Sequence, residues 1–206
     1  SEVSDQAAGC AAMLPMLADA AGNFRDTPLT VYALPETIAA IRSHMLNGML
    51  WPDYSLLPAP ERPYLCFKPF ARGETVALHG RKITALPARH AVPALGYQVD
   101  SGAASWVYSG DTTFCAEFWQ ALNRIANLKF LLVETTFTNS NAAGAARSGH
   151  MTAALLAQGL RLLHRPAELF IVHMEAGRED DILREVLHAA GEFNPQALQR
   201  GREFVF

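Results

Sequence analysis

The stretch Ser105-Trp-Val-Tyr-Ser-Gly-Asp111-Thr-Thr113 decides the fold prediction, because an apolar strand runs directly into a carboxylate. The glycine before Asp111 lets the backbone turn sharply where the strand ends. The same arrangement occurs once earlier and once later in the chain. A strand-like run precedes His90, and Leu-Phe-Ile-Val precedes His173. Chemically active side chains at the ends of three strands indicate that they meet at one rim of the fold.

Five strands in succession are predicted between residues 64 and 109, where the apolar pattern changes to a period of two. Glycines punctuate this region and mark turns. We expect the strands to form one antiparallel sheet, and the lack of helices between them disfavours a doubly wound parallel fold. The predicted strands are Tyr64–Phe70, Thr75–Leu78, Lys82–Ala88, Tyr97–Asp100 and Ser105–Ser109.

Helices and strands alternate in the remainder of the chain. The patterns predict helices over Asp5–Ala20, Glu36–Leu46, Ala116–Ala126, Met151–His164 and Glu179–Ala190. Strands are expected over Leu29–Leu34, Lys129–Glu134, Glu168–Val172 and Glu203–Phe206, and a loop of small residues over Thr138–Ala146. Strands covered by helices on two sides predict an α/β (α+β) fold of the αββα sandwich type. With 206 residues, half of them hydrophobic, a single domain over residues 1–206 is expected.

Charge and hydropathy exclude several classes of partner. The net charge is −3 and there is no polybasic run, so neither nucleic acid nor a membrane is an evident electrostatic partner. The longest apolar runs are strand-sized, and no secretory signal is visible at the start. The three widely spaced cysteines are typical of a reducing compartment, so a cytoplasmic location is expected.

His90, Asp111 and His173 are the candidate metal ligands. Neutral imidazole and carboxylate are the donor groups that zinc takes in catalytic sites, where one position is left for water. Taken singly, His90 has the alternative of a half-buried core histidine. Asp111 has the alternative of a helix N-cap, although Thr113 is better placed for that role. The repetition of the pattern at three strand ends favours the metal site.

Glu134 and His150 are the candidate acid–base pair. Glu134 ends a predicted strand and His150 precedes a predicted helix. A carboxylate beside an imidazole favours its protonated form, so the pair is suited to deliver a proton to a leaving oxygen. The alternative for His150 is an ordinary residue at a helix start. The other histidines are expected to be structural or exposed: His44, His79, His164 and His188.

Several short motifs of the chain resemble those of the metallo-β-lactamase fold superfamily. They are Asn47-Gly-Met-Leu-Trp-Pro-Asp53, Ser109-Gly-Asp-Thr112, Val133-Glu-Thr-Thr-Phe137, Ser148-Gly-His150 and Val172-His-Met174. Within the superfamily, the likeness is greatest to class II cyclic-nucleotide phosphodiesterases and the related tRNA 3′-processing endonucleases. The Trp-Pro-Asp and Ser-Gly-His-Met elements favour the phosphodiesterase branch.

The resemblance implies a function and a role for each candidate. His90 would bind one zinc ion, Asp111 would bridge two and take part in catalysis, and His173 would bind the second. Glu134 and His150 would be the acid pair. A metal-bound hydroxide would cleave a small phosphodiester, most simply a 3′,5′-cyclic nucleotide.

The start of the chain departs from the family pattern. The family carries His-x-His-x-Asp-His before its first helix, whereas this chain has Ser1-Glu-Val-Ser-Asp-Gln6, in which Asp5 alone matches a ligand. The family's N-terminal strands are also expected to be lacking, with a homodimer covering the exposed sheet edge. One alternative is therefore a catalytically impaired binding or interaction module. Another is a hydrolase of a different ester class, such as a thioester.

Overall fold

Residues 27–49 and 51–206 are described by the computed structural model, and the chain divides after Ala71 into two units. The predicted helix over Asp5–Ala20 and the candidate ligand Asp5 lie outside the described residues. The single domain over residues 1–206 therefore stays a prediction.

The first unit is built on a pair of parallel strands. Strands β1 (Leu29–Ala33) and β4 (Leu65–Pro69) pair in parallel. Helix α1 (Pro35–Ala40) follows β1 and continues as a π-helix over Ile41–Met45. Its proline at the first helical position has no backbone N–H to leave unpaired, which suits a helix start. A short hairpin, β2 (Pro58–Ala59) and β3 (Arg62–Pro63), precedes β4.

The predicted antiparallel sheet is wrong in its first strand. The strand expected over Tyr64–Phe70 exists, but it pairs with β1 and does not join the strands that follow it. Its buried Leu65 packs with Met45 and Leu46, so the first unit has a small core of its own. A period of two identifies a strand but does not identify its partner.

The second unit contains a seven-stranded mixed sheet in the order β11-β10-β9-β8-β7-β6-β5. Its first four strands along the chain are antiparallel, and the last three run parallel to the fourth. The strands are β5 (Thr75–Leu78), β6 (Arg81–Pro87), β7 (Leu95–Asp100), β8 (Ser105–Tyr108), β9 (Leu128–Glu134), β10 (Glu168–Val172) and β11 (Gln196–Ala197).

Three helices of the second unit share a core with one face of this sheet. These are α2 (Ala116–Asn123), α4 (Ala153–Leu160) and α5 (Glu179–Ala190), while α3 (Ala142–Ser148) lies between β9 and α4 in the chain. Trp119, Leu156 and Ile182 are buried against sheet residues such as Leu131. A Cβ on Gly159 would lie 2.1 Å from the Trp119 ring, so α4 approaches that ring as only glycine allows.

The opposite face of the sheet is aromatic and is packed against the end of the chain. Phe130 and Phe170 lie on it, and the Phe204 ring contacts both, with centroids 4.9 and 5.2 Å away. The strand predicted over Glu203–Phe206 is therefore wrong, and the edge strand is Gln196–Ala197 instead. The alternating aromatics at the end of the chain serve side-chain packing and not a hydrogen-bonded ladder.

The loop predicted over Thr138–Ala146 is also wrong, because helix α3 begins within it. Alanine has the highest helix propensity, and Gly149 ends the helix in the left-handed conformation with φ 77°. The expected α/β fold is confirmed, since the chain forms a mixed sheet with helices packed on it. Among the described residues, no helix is both long and apolar enough to span a bilayer.

Candidate metal centre and acid–base pair

Three parallel strands deliver the candidate side chains to one edge of the sheet. Asp111 follows the end of β8, Glu134 is the last residue of β9, and His173 follows β10 directly. The carboxyl ends of neighbouring parallel strands meet at the same edge, which is where α/β sheets bind ligands. The Nε2 atom of His173 lies 3.7 Å from Oδ1 of Asp111.

Glu134 is fully buried and accepts five hydrogen bonds. Its Oε1 accepts from the Thr112 N–H at 3.0 Å and from Nδ1 of His150 at 2.8 Å. Its Oε2 accepts from the N–H and the hydroxyl of Thr136 at 3.1 and 2.9 Å, and from the Met151 N–H at 3.3 Å. These donors offset the cost of burying the carboxylate and hold it in one orientation.

His150 lies between the other two imidazoles. Its ring centroid is 4.7 Å from that of His90 and 5.1 Å from that of His173. The contact expected for the acid pair is present, since Nδ1 of His150 meets Oε1 of Glu134. His150 precedes α4, whose N-cap position is Thr152, so it is not an ordinary helix-start residue.

Hydrogen bonds at Nδ1 define the tautomers of two imidazoles. Nδ1 of His90 lies 3.1 Å from the carbonyl oxygen of Gly149, and Nδ1 of His150 meets the Glu134 carboxylate. Both partners only accept, so both Nδ1 atoms carry a proton, and in the neutral rings the lone pair is on Nε2. Metal-binding histidines show this arrangement, with one ring nitrogen donating to a fixed acceptor.

Two overlapping groups of side chains have the geometry to hold a cation. His90, Asp111 and His150 form one, and Glu134, His150 and His173 form the other, with ligand atoms within 4.8 Å of one another in each group. The oxygens of Glu134 are already engaged by hydrogen bonds, so we assign it to positioning His150. His150 belongs to both groups, and the imidazoles of His90, His150 and His173 together with the Asp111 carboxylate are donor types that a zinc-type divalent ion takes.

The backbone is constrained where these residues converge. His173 has φ 57°, in the left-handed region that costs a side-chain-bearing residue about 1–2 kcal/mol. Gly149 has φ 77°, and a Cβ there would lie 2.6 Å from the Ala91 nitrogen. Residues held in costly conformations cluster at functional sites, where the surrounding structure fixes them. Gly149 in turn fixes His90 through its carbonyl oxygen.

Two carboxylates contribute negative charge around the cluster. Burial, followed by the charges of Asp111 and Glu134 and then by Tyr97, raises the pKa of Tyr108 to about 12. Burial also raises the pKa of Tyr97. Tyr108 therefore keeps its proton at neutral pH, and the two nearby carboxylates favour a bound cation.

A cavity of about 580 Å³ adjoins His90, and Arg72, Arg89, Val92 and Pro93 also line it. A larger cavity of about 830 Å³ lies along α2 and strands β6 and β7, and none of the cluster residues lines it. Of the two cavities, only the smaller one is lined by a residue of the cluster, His90. We therefore take the smaller cavity as the candidate substrate pocket.

The structure places five of the six sequence-predicted site residues in one cluster: His90, Asp111, Glu134, His150 and His173. The N-cap of α2 is Cys115, so neither Asp111 nor Thr113 caps that helix. Sequence reasoning missed Thr136 and Gly149, which touch the imidazoles. The available signal was their position beside Glu134 and His150, although sequence alone gave no reason to choose between Thr135 and Thr136.

Fold and site together define an α/β protein with a candidate metal centre at the carboxyl edge of a mixed sheet. The family described as beta-lactamase superfamily domain matches residues 7–174, and the chain belongs to that family. The superfamily predicted from the motifs is therefore confirmed. Family membership and the clustered His and Asp side chains support divalent-metal binding.

Solved structures with the same fold are similar to this chain at low sequence identity. Unliganded yeast PDE1 superposes with a TM-score of 0.71 at 19% identity, covering 84% of this chain and 59% of that one. YhfI from Bacillus subtilis gives 0.60 at 18% identity, covering 79% and 59%. Zn²⁺-bound PqqB from Methylobacterium extorquens gives 0.51 at 14% identity, covering 84% and 60%.

The chain spans about three fifths of the length of these solved structures. No curated protein matches its sequence at a significant level. The comparisons therefore establish fold and family.

Proposed function

We propose that this protein is a metal-dependent hydrolase that cleaves a phosphodiester, with a 3′,5′-cyclic nucleotide as the preferred substrate. One observation carries the proposal. The imidazole of His90, whose Nδ1 meets a backbone carbonyl, and the carboxylate of Asp111 converge at the sheet edge, next to the Glu134–His150 pair.

His90, Asp111 and His173 would hold the metal, for which we propose zinc. When bound, such an ion supplies a Lewis acid and lowers the pKa of coordinated water toward neutrality. Asp5 is the candidate for a fourth ligand, and it lies outside the described residues.

His150 would act as the general acid, positioned by Glu134. In the protonated ring, Nδ1–H donates to Glu134 and Nε2–H is the proton that can pass to a leaving oxygen. The same Nε2 would bind metal only in the neutral ring, so the acid and ligand roles exclude each other at any one moment. The matched comparison of His150 and His173 variants separates the two roles.

The candidate pocket supports a small anionic substrate. Its volume of about 580 Å³ falls in the range of small-molecule sites. A backbone hydrogen bond and the Cys115 thiol, then the charges of Arg89 and Arg72, lower the pKa of Glu117, which lines the pocket together with both arginines. These two arginines would offset the phosphate charge. The net charge of −3 favours a small substrate over a long RNA.

The test combines metal analysis with turnover on the full chain. Elemental analysis should find a divalent metal at stoichiometric level, and 3′,5′-cyclic AMP, cyclic GMP and a nitrophenyl phosphodiester should be hydrolysed. A thioester assayed in parallel distinguishes the other ester class. Protein without metal and without turnover would favour the binding-module alternative and overturn the proposal.

Alanine variants of His173 and His150 distinguish a metal ligand from a general acid. We expect H173A to lose the metal, and H150A to keep it while turnover falls by roughly 10²–10⁴-fold, as for a general acid. H188A changes an exposed histidine of α5 and serves as the control. Loss of metal in H150A would reassign His150 as a ligand, and undiminished turnover in H150A would refute the acid role.

We further propose a cytoplasmic homodimer. Among the described residues, β1 and β4 pair only with each other, which leaves strand edges of the first unit available to a second copy. Light scattering on the purified chain tests this, and a monomer at micromolar concentration would contradict it.

A further inference from the structure

The hydroxyl of Thr136 lies at the centre of the candidate site, between the buried carboxylate and two imidazoles. Its Oγ1 is 2.9 Å from Oε2 of Glu134, 2.9 Å from Nδ1 of His173 and 3.3 Å from Nδ1 of His150. The Thr136 side chain is buried. In both contacts with histidine, the hydroxyl meets the Nδ1 nitrogen of the ring.

The direction of these hydrogen bonds follows from the number of protons available. A carboxylate oxygen only accepts, and a hydroxyl has one proton to donate. Bonds to a charged acceptor are the stronger ones, so the Thr136 proton goes to Glu134. The hydroxyl must then accept from His173, which means that Nδ1 of His173 carries a proton.

That assignment determines what His173 presents to the site. With the proton on Nδ1, the neutral ring has its lone pair on Nε2. This Nε2 lies 3.7 Å from Oδ1 of Asp111. Two ligands of one tetrahedral zinc ion lie about 3.3 Å apart, so the two atoms are nearly at ligand spacing.

We propose that Thr136 is a positioning residue that uses the fixed charge of Glu134 to hold His173 in its metal-binding tautomer. Glu134 thereby controls two imidazoles, His150 directly and His173 through the Thr136 hydroxyl. The metal-binding role of this tautomer rests on the proposed function, but the tautomer itself is a property of the metal-free chain.

The chain offers a matched control in the neighbouring residue. Thr135 is also fully buried, and its hydroxyl donates to the backbone carbonyl of Glu134 at 2.8 Å. T135V and T136V each remove one buried hydroxyl from the same strand end while keeping the shape of the side chain. Only T136V removes the acceptor from His173. T136S keeps the hydroxyl and should behave as the parent protein.

The first measurement reads the tautomer directly. Metal-free protein with nitrogen-15-labelled histidine is examined by two-dimensional NMR, well above the ordinary histidine pKa of about 6.5. H173A identifies the His173 signals. We expect His173 to carry its proton on Nδ1 in the parent protein, T135V and T136S, and to shift toward the other tautomer in T136V.

The second measurement is metal affinity by competition with a chromophoric zinc chelator. Removing the hydrogen-bond partner of a metal-binding histidine weakens binding about 10- to 100-fold, so we expect that loss in T136V and not in T136S. An equal loss in T135V would show a general packing effect and overturn the proposal. So would an unchanged tautomer and affinity in T136V.

The parent protein alone can also refute the inference, should T136V not fold. A proton on Nε2 of His173 in the metal-free parent overturns it. If the tautomer is as expected but the parent binds no zinc, the proposed function fails while the role of Thr136 in setting the tautomer stands.

Discussion

His173 shows how a single residue can be held against its own backbone preference. It follows β10 directly and has φ 57°, a region that glycine enters freely and other residues enter at a cost. The sequence predicted its position at a strand end, because the preceding Leu-Phe-Ile-Val run is unmistakably a strand. The left-handed turn could not be predicted, since no glycine or asparagine marks it.

The strain at His173 leads to a prediction for the metal-free protein. H173G and H173A both remove the imidazole, but only glycine relieves the left-handed backbone. We expect the free energy of unfolding of H173G to exceed that of H173A by about 0.5–1 kcal/mol, after the extra entropy of glycine in the unfolded chain is included. Urea unfolding with excess chelator measures the difference. An H173A protein as stable as H173G would show that the turn is not strained.

At the level of elements, the sequence predicted whether a segment is a helix or a strand better than it predicted which strands pair with each other. Strand Glu168–Val172 and helix Glu179–Ala190 have the predicted bounds, because each has a strong period and clear flanking signals. The partner of β4 was missed, since pairing depends on the core that Leu65 enters and not on its alternation. Helix Ala142–Ser148 was missed because small residues give no apolar period.

The end of the chain allows a test of packing without pairing. Phe204 contacts the rings of Trp106, Phe130 and Phe170, whereas its neighbour Val205 is 81% exposed. We expect F204A to lower the free energy of unfolding by about 2 kcal/mol, because a half-buried aromatic loses part of its transfer free energy. V205A should change it by less than about 0.5 kcal/mol. Similar effects of the two substitutions, measured by urea unfolding, would contradict this packing.

The aromatic sheet face was foreseeable only in part. Phe130 and Phe170 were predicted to lie in strands, and the alternating aromatics near Phe206 were read as a further strand. A strand that is hydrogen-bonded to a sheet and a chain end that only packs its side chains on the sheet show the same alternation in sequence. Only the neighbouring residues in the structure distinguish the two. Here Arg81 lies over the Phe206 ring at 4.8 Å, and Phe204 packs against Phe130 of β9 and Phe170 of β10.

For the whole molecule, the sequence predicted the family and the candidate site because its motifs stand at strand ends, where topology brings distant segments together. His90, Asp111 and His173 follow β6, β8 and β10, which are not neighbours in the chain. The division after Ala71 was not predicted, because no linker composition marks it. The division follows from the pairing of β1 with β4, which depends on tertiary contacts and not on local sequence.

The separation of the ligands along the chain couples metal binding to folding. An unfolded chain cannot keep these three side chains together, so a cation bound by them stabilises the native state alone. At a free zinc concentration about 100 times the Kd, we expect the free energy of unfolding to rise by about 2.7 kcal/mol over that of chelator-treated protein. Calorimetry or urea unfolding at two zinc concentrations measures the increase.

The matched histidine variants decide whether this increase comes from the proposed site. H90A removes a candidate ligand at the end of β6, whereas H188A removes an exposed imidazole from α5. We expect H188A to keep the full zinc-dependent increase and H90A to lose most of it, because each ligand removed weakens the shared site. An H90A protein that zinc stabilises as much as the parent would place the metal elsewhere, even if the parent hydrolyses phosphodiesters.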